Sequence, residues 1–296
     1  LGLLAGLARA ELPPEVAAEL ARAGVPRERV AVFIQPLDAA EPVLTHNPDA
    51  ALNPASAMKL VTSFAALDQL GPAWTWRTPV WLEGGLAGGT LSGNLVVQGR
   101  GDPTLTLERL WLLQRELRLS GVRHVRGGLV LDTAYFDLDR ADPGTFDGVP
   151  LAPYNAQAGA LVTNYNAFPL RFERAGGGVR AVPELAPPGF VLDSALTPEP
   201  GDCEQWRDDL ALTPLGGGAL RLEGPFPEGC GERVRAFNLF PPEVTFDYLF
   251  RALWAEGGGG IVRVTESGAA PERAPDLEFV SPPLAETEKR RPCSFS

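Results

Sequence analysis

A serine and a lysine three positions apart are the residues of this sequence best suited to covalent chemistry. Ser56 and Lys59 lie in the segment LNPASAMKLVTS, which spans residues 52–63. On a helix, side chains at positions i and i+3 share a face, so the lysine amine can reach the serine hydroxyl. An amine that has lost its proton can remove the hydroxyl proton and so produce a nucleophile.

The lysine is unusual for this chain. Lys59 is one of only two lysines among the 26 cationic residues, and the others are arginines. Arginine could not act as the base, because the guanidinium group keeps its proton in proteins. The same tetrapeptide is also compatible with an exposed lysine near a helix start, and the residues alone leave both interpretations open.

The elements expected around the pair would place Ser56 in the first turn of a helix. The pattern of the first 71 residues predicts a helix over 11–30, a hairpin with strands over 29–38 and 41–50, and a helix over 56–70. Gly71 follows the last apolar position and is expected to end that second helix. Backbone N–H groups of a first helical turn lack intrahelical partners and can serve an anionic group.

The rest of the chain has a nested pattern. Short apolar runs separated by turns from about 74 to 240 predict a β-rich region, which includes one helix over 105–122. A second stretch of helical spacing follows at 241–258. The sequence therefore predicts a helical and sheet segment, then a β-rich insertion, then a return to helix.

The composition favours a folded protein without a nucleic-acid partner. Hydrophobic residues make up 45% of the 296 residues, which is enough for a packed core. The net charge is −11 and the arginines are dispersed, whereas phosphate binding requires clustered cationic side chains. No cofactor is expected.

Two features favour export. Residues 1–10 combine an apolar run with a small-x-small triplet, as at the end of a secretory signal peptide, although the start of an ordinary helix fits too. No later run is long and apolar enough for a membrane span.

The cysteine pair is the second feature that agrees with export. If Cys203 and Cys230 pair, they close a loop of 28 residues, which in the chain-entropy account contributes roughly 3–4 kcal/mol. A zinc site would need further Cys or His nearby, so no metal is expected.

An ordered series of segments resembles one protein family. The series is LNPASAMKLVTSFAALDQLGPAWTWRT, LVVQGRGDPTLT, GVRHVRGGLVLDTAYFD, PYNAQAGALVTNYNAF, the two cysteine segments, LFRALWAEGGGGIVR and FVSPPLAE. It resembles the class C low-molecular-mass penicillin-binding proteins, the serine D-alanyl-D-alanine carboxypeptidase/endopeptidase family. The resemblance covers about residues 11–286.

The resemblance implies an α+β fold, with a penicillin-binding transpeptidase-like (serine β-lactamase-like) domain that is split by a large β-rich insertion. The expected boundaries are 11–75 for the first part of that domain, 76–240 for the insertion and 241–286 for the return. It also implies a periplasmic or other extracytoplasmic location.

The resemblance also implies a mechanism and partners. Ser56 would attack the penultimate D-Ala carbonyl of a peptidoglycan stem peptide, with Lys59 as general base, and water would hydrolyse the acyl-enzyme. The Ser56 N–H would form part of the oxyanion hole. β-Lactams would acylate the same serine. Asp147 lies where the family can present an acid of the insertion toward the substrate, although a solvated loop carboxylate is the simpler interpretation.

The sequence departs from the family in its last part. The family's S-x-N and K-T-G motifs lie beyond the segment at 281–286, and neither is present there. A literal S-G-N at 92–94 is interpreted as a turn before a strand. Residues 287–296 look like an aberrant, out-of-frame tail. We therefore expect a truncated catalytic domain that is inactive or barely active.

Two alternatives to this enzyme remain. One is a non-catalytic envelope protein that binds peptidoglycan through the inserted domains. The other is a different S-x-x-K acyl enzyme such as a β-lactamase, which the long insertion disfavours.

Overall fold

The computed structural model describes residues 12–204, 206–216 and 219–283, and these fall into two compact units divided between Gly71 and Pro72. The expected signal peptide at 1–10 and the expected aberrant tail at 287–296 lie outside the described residues. The mixture of helices and sheets confirms the predicted α+β class.

The first unit contains two helices and one hairpin. Its elements are α1 (Pro14–Arg22), β1 (Val32–Ile34), β2 (Leu44–His46) and α2 (Met58–Leu70). The strands pair antiparallel with Phe33 opposite Thr45, which confirms the predicted hairpin. Both strands are shorter than expected, because Pro36 and Pro42 lack the N–H that a continued ladder requires.

Helix α2 ends where the sequence predicts and is open to solvent. Gly71 adopts a φ of 79° and its N–H donates to the Leu67 carbonyl oxygen, so it closes the helix. No residue of α2 is buried, and Leu60 and Phe64 are 76% and 72% exposed. The apolar side chains of α2 are therefore exposed to solvent in the first unit.

The second unit contains two helices and fifteen strands in the described residues. The helices are α3 (Leu107–Leu119) and α4 (Pro242–Glu256). The strands are β3 (Arg77–Leu82), β4 (Leu86–Ala87), β5 (Thr90–Leu91), β6 (Leu95–Gln98), β7 (His124–Val125), β8 (Leu129–Asp132), β9 (Phe168–Ala175), β10 (Gly178–Pro183), β11 (Leu192–Glu199), β12 (Ala211–Gly216), β13 (Ala219–Pro227), β14 (Arg233–Phe237), β15 (Gly260–Ile261), β16 (Glu266–Ser267) and β17 (Leu277–Val280).

One half of the second unit combines the two helices with two small sheets. The sheet orders are β16-β8-β6-β3-β17 and β15-β7-β5-β4. Helix α3 buries Leu110, Leu113 and Leu117, whose spacing defines one apolar face. The buried side chain of Gln114 donates to the Phe250 carbonyl oxygen at 2.7 Å and so joins α3 to α4.

These pairings bear on how the strands after residue 241 associate. We expected 241–286 to return to the first domain, but β17 pairs antiparallel with β3, while β15 and β16 pair with β7 and β8. Residues 242–280 therefore complete sheets that begin at Arg77. The identity of each unit as a transpeptidase-like or inserted domain stays a prediction.

The other half of the second unit is a six-stranded sheet in the order β12-β13-β11-β10-β9-β14. Strand β9 alternates buried and more exposed residues, with Phe168, Leu170 and Phe172 on the core side. The Cys203 and Cys230 sulfur atoms are joined in a disulfide. It lies in the same apolar core as Phe172.

Candidate active site

Ser56 and Lys59 contact each other directly. The Lys59 Nζ donates a hydrogen bond to the Ser56 Oγ at 2.9 Å. Ser56 is the middle residue of a 3₁₀ turn, Ala55–Ala57, and Lys59 is the second residue of α2. The predicted approach of the amine to the hydroxyl is present, and Ser56 lies in the turn immediately before the α-helix.

The turn that holds Ser56 is built from the residues just before it. The Asn53 Oδ1 accepts a hydrogen bond from the Ala55 N–H at 2.9 Å, and the Ala57 N–H donates to the Pro54 carbonyl oxygen at 2.9 Å. An asparagine that bonds the backbone two residues ahead is a common way to start a turn. The Asn-Pro pair thus fixes the chain direction immediately before Ser56.

Ala55 has a backbone conformation that the sequence does not reveal. Its φ is 46°, in the left-handed region that residues with a Cβ rarely adopt. Such a conformation costs of order 1–3 kcal/mol and is concentrated at functional sites. The strained residue is bonded directly to Ser56, so it helps to set the direction of the serine side chain.

The serine and lysine are both open to solvent in this chain. The two side chains are exposed, as are their neighbours along α2 from Met58 to Phe64. Burial and nearby charges are the general means by which a lysine becomes a base at neutral pH. The described residues do not bury Lys59.

Asp147 lies in the second unit, in the long loop that joins β8 to β9. Its Oδ1 accepts hydrogen bonds from the Val149 N–H at 3.0 Å and the Asn155 Nδ2 at 2.7 Å, and its Oδ2 accepts one from the Tyr154 hydroxyl at 2.7 Å. The Tyr154 hydroxyl, followed by the Val149 N–H, holds the pKa of Asp147 below its usual value. The loop therefore presents an exposed, charged carboxylate whose orientation is fixed.

The literal S-G-N triplet has a structural role. The Ser92 Oγ accepts a hydrogen bond from the Gly85 N–H at 2.9 Å. The Asn94 Nδ2 donates to Glu83 at 2.9 Å, and the Asn94 Oδ1 accepts from the Gly128 N–H at 3.0 Å. These bonds hold the turn before β6, as predicted, and use the polar groups that a catalytic motif would need.

The part of the chain that the structure describes contains neither a cluster of metal-ligand side chains nor a membrane-spanning helix. No group of three or more His, Cys, Asp or Glu side chains there is arranged to hold a metal ion. None of the helices among those residues has the length and apolar character needed to cross a membrane.

The fold and the ordered sequence segments define the class as a low-molecular-mass class C penicillin-binding protein. The chain belongs to the D-Ala-D-Ala carboxypeptidase 3 (S13) family, whose sequence model matches residues 12–289. The match includes Ser56 and Lys59 and confirms the resemblance found from the sequence.

Individual relatives agree with this assignment. The chain is 32% identical over 244 residues to a D-alanyl-D-alanine carboxypeptidase of Actinomadura sp. (strain R39), which covers 78% of the chain and 44% of the relative. It is 39% identical over 82 residues to D-alanyl-D-alanine carboxypeptidase DacB of Haemophilus influenzae, which covers 28% of the chain and 17% of the relative. The chain thus spans less than half the length of either protein.

Solved structures share the fold. Penicillin-binding protein 4 (dacB) of Haemophilus influenzae matches with a TM-score of 0.70 at 21% identity, over 92% of this chain and 61% of that one. The same protein complexed with a novel β-lactam matches with a TM-score of 0.56 at 22% identity, over 80% and 51% of the two chains.

Proposed function

We propose that this chain carries the nucleophile of a serine-type D-Ala-D-Ala carboxypeptidase/endopeptidase that acts on peptidoglycan stem peptides. The observation that carries the proposal is the 2.9 Å hydrogen bond between Lys59 and Ser56 in a member of the S13 family. The amine is within reach of the proton that it must remove.

The reaction would proceed through two acyl transfers. Neutral Lys59 takes the Ser56 hydroxyl proton, and the Oγ attacks the penultimate D-Ala carbonyl carbon to form a tetrahedral intermediate. Terminal D-Ala leaves with the proton that Lys59 returns, and an ester remains on Ser56. Water then cleaves the ester with Lys59 again acting as base, which regenerates the free serine.

The Ser56 N–H lies in a turn at the start of α2 and is a candidate donor to the oxyanion. A β-lactam would react by the first half of the same sequence. Its ring amide would be opened by Ser56 and the product would stay attached as an ester. Penicillin sensitivity is therefore part of the proposal.

Asp147 is proposed as a substrate-binding group. Its carboxylate is exposed, charged and fixed by three hydrogen bonds, so it could receive a cationic group of a stem peptide without reorganisation.

We infer that the chain by itself turns over substrate slowly or not at all. The apolar side chains of α2 and the Lys59 amine are exposed, and the described residues supply neither a cover for the amine nor a second proton relay. An extracytoplasmic location is inferred as well, because a disulfide persists in an oxidising compartment.

The second candidate function is non-catalytic binding of peptidoglycan through the second unit. The contrast between the two units favours it, because the second unit has a large buried core whereas α2 in the first has no buried residue. Binding of purified sacculi that is unaffected by Ser56→Ala would support this candidate.

Labelling with a fluorescent penicillin tests the catalytic proposal. We expect slow covalent labelling of the unchanged chain and of Ser63→Ala, a matched control because Ser63 is an exposed serine of α2, the helix that follows Ser56. Ser56→Ala should carry no label. Equal labelling of the unchanged chain and Ser56→Ala would overturn the assignment. No label on the unchanged chain would favour the binding-only candidate.

A further inference from the structure

A groove of about 270 Å³ opens between the two halves of the second unit. One wall is the loop at residues 187–190, which joins β10 to β11 of the six-stranded sheet. The other wall combines one face of α4 with residues 262–265, between β15 and β16. None of these residues takes part in the proposed serine chemistry.

The floor of the groove contains a polar network that is fixed before any ligand binds. The Arg251 Nε donates to the Asp247 Oδ1 at 2.6 Å, and the Arg251 Nη2 donates to the Thr265 Oγ1 at 2.8 Å. The Thr265 hydroxyl in turn donates to Asp247. The Arg251 and Asp247 side chains are only 17% and 16% exposed, so the network is partly shielded from water.

A second guanidinium at the groove has no anionic partner among the described residues. The main chain of Arg263 is held in place, because its N–H donates to the Gly127 carbonyl oxygen at 3.0 Å and its carbonyl oxygen accepts from Arg251 at 2.8 Å. Its side chain is exposed and forms no ion pair in the described part of the chain. The groove is therefore lined by two arginines and one carboxylate residue, Asp247, in a protein whose net charge is −11.

The loop wall is apolar. Pro187, Pro188 and Phe190 line it, and the Phe190 ring lies 5.5 Å from the ring of Tyr248 on α4 in an edge-to-face arrangement. The prolines have fixed φ angles, so the wall needs little ordering when a ligand binds. A ligand that fills this groove should combine a carboxylate with an apolar or amide body, as a peptide does.

We propose that this groove binds a carboxylate-bearing segment of a peptidoglycan stem peptide and gives the chain a second contact with its polymer. The substrate class rests on the proposed function, while the ligand chemistry comes from the groove itself. The planar guanidinium group of Arg263 can bind a carboxylate through two hydrogen bonds, and the apolar wall covers the peptide backbone. A phosphate polymer would supply the charge without the apolar body.

Binding of a short acidic peptide tests the proposal. The probe is fluorescein-labelled L-Ala-γ-D-Glu-L-Lys-D-Ala-D-Ala, and its anisotropy is measured with the full chain carrying Ser56→Ala, so that no acyl transfer occurs. Arg263→Gln in that background removes the unpaired charge. Arg115→Gln is the matched control, because Arg115 is an exposed arginine of α3 that does not line the groove. Unfolding midpoints establish that each variant is folded.

We expect Arg263→Gln to raise Kd about tenfold, which corresponds to about 1.4 kcal/mol. Arg263→Lys should restore part of the affinity, Arg115→Gln should leave Kd unchanged, and amidation of the peptide carboxyls should weaken binding to the same extent as Arg263→Gln. Equal Kd for Arg263→Gln and Arg115→Gln would overturn the proposal. The proposal would also be overturned if poly(glycerol phosphate) displaced the labelled peptide at a lower concentration than the unlabelled peptide does. That result would assign the groove to a phosphate polymer.

The same variants separate this inference from the proposed function. In the chain that retains Ser56, Arg263→Gln should take up fluorescent penicillin to the same extent as the unchanged protein. Peptide binding that depends on Arg263, together with no penicillin labelling, would uphold the groove and contradict the catalytic role. Penicillin labelling without peptide binding that depends on Arg263 would support the catalytic role and contradict the proposed groove.

Discussion

At the scale of single residues, the geometry of the Ser56–Lys59 pair depends on a local backbone conformation as much as on sequence spacing. Three residues of separation place the two side chains on one face, which the sequence predicts. The direction of the serine is set by the turn from Asn53 to Ala57, in which Ala55 has a positive φ. Periodicity contains no signal for that conformation, so it could not be predicted from the sequence.

Substitutions at Ala55 should show how much stability depends on this backbone conformation and whether acylation of Ser56 requires it. Ala55→Val places a β-branched residue at positive φ, and we expect a loss of about 1–3 kcal/mol together with slower penicillin labelling. Ala55→Gly should preserve stability and labelling, because glycine adopts this conformation without strain. Chemical denaturation and labelling rates measure both effects. If Ala55→Val and Ala55→Gly had the same stability and the same labelling rate, the structural interpretation would be contradicted.

The charge of Asp147 should depend on its tyrosine donor. Because Tyr154 and the neighbouring N–H groups lower the pKa of Asp147 in the folded state, its contribution to stability is present above the ordinary carboxyl pKa. That contribution is lost as the pH falls through the folded-state value. Tyr154→Phe removes one donor, so the pKa should rise toward the ordinary value. Carbon-detected NMR titration of the carboxyl group measures it, and no upward change would contradict the assignment.

At the scale of elements, helices were predicted more closely than strand pairings. The positions of α2 and α3 follow from apolar periodicity, and Gly71 gives the end of α2. In the first hairpin, β1 ends before Pro36 and β2 begins after Pro42, so both strands are shorter than predicted. The pairing of β17 with β3 joins residues about 200 positions apart, and no local pattern encodes such a register.

The disulfide is the element-scale feature with the clearest energetic consequence. Cys203→Ser with Cys230→Ser opens a loop of 28 residues, so the free energy of unfolding should fall by roughly 3–4 kcal/mol. Urea denaturation measures the loss. Reductant should destabilise the unchanged chain to a similar extent and leave the double variant unaffected. Cys293→Ser is the control, and a double variant as stable as that control would contradict the expectation.

At the scale of the whole molecule, the chain consists of two units that differ in how well their elements are covered. The second unit buries a continuous apolar core with the helices α3 and α4 and both groups of sheets. The first unit carries the candidate nucleophile on a helix without buried residues. We therefore expect the second unit to provide most of the stability, and the first to provide the chemistry.

Fragments test the predicted boundary at residue 241. A fragment of residues 72–283 contains α4, β15, β16 and β17 with their partners, so it should unfold in one cooperative transition. A fragment of residues 72–240, the predicted insertion extended to the structural boundary, lacks those partners and should not fold. Circular dichroism during thermal unfolding distinguishes them. Cooperative unfolding of the shorter fragment would support the boundary predicted from the sequence.

The central claim is that Ser56 is the nucleophile and that Lys59 activates it. The most direct measurement is mass-spectrometric mapping of the residue that benzylpenicillin acylates, in the unchanged chain and in Lys59→Arg, which keeps the charge but cannot act as a base. The account predicts an adduct on the peptide that contains Ser56, and a much slower adduct in the arginine variant. An adduct on another residue, or equal rates in both proteins, would contradict it.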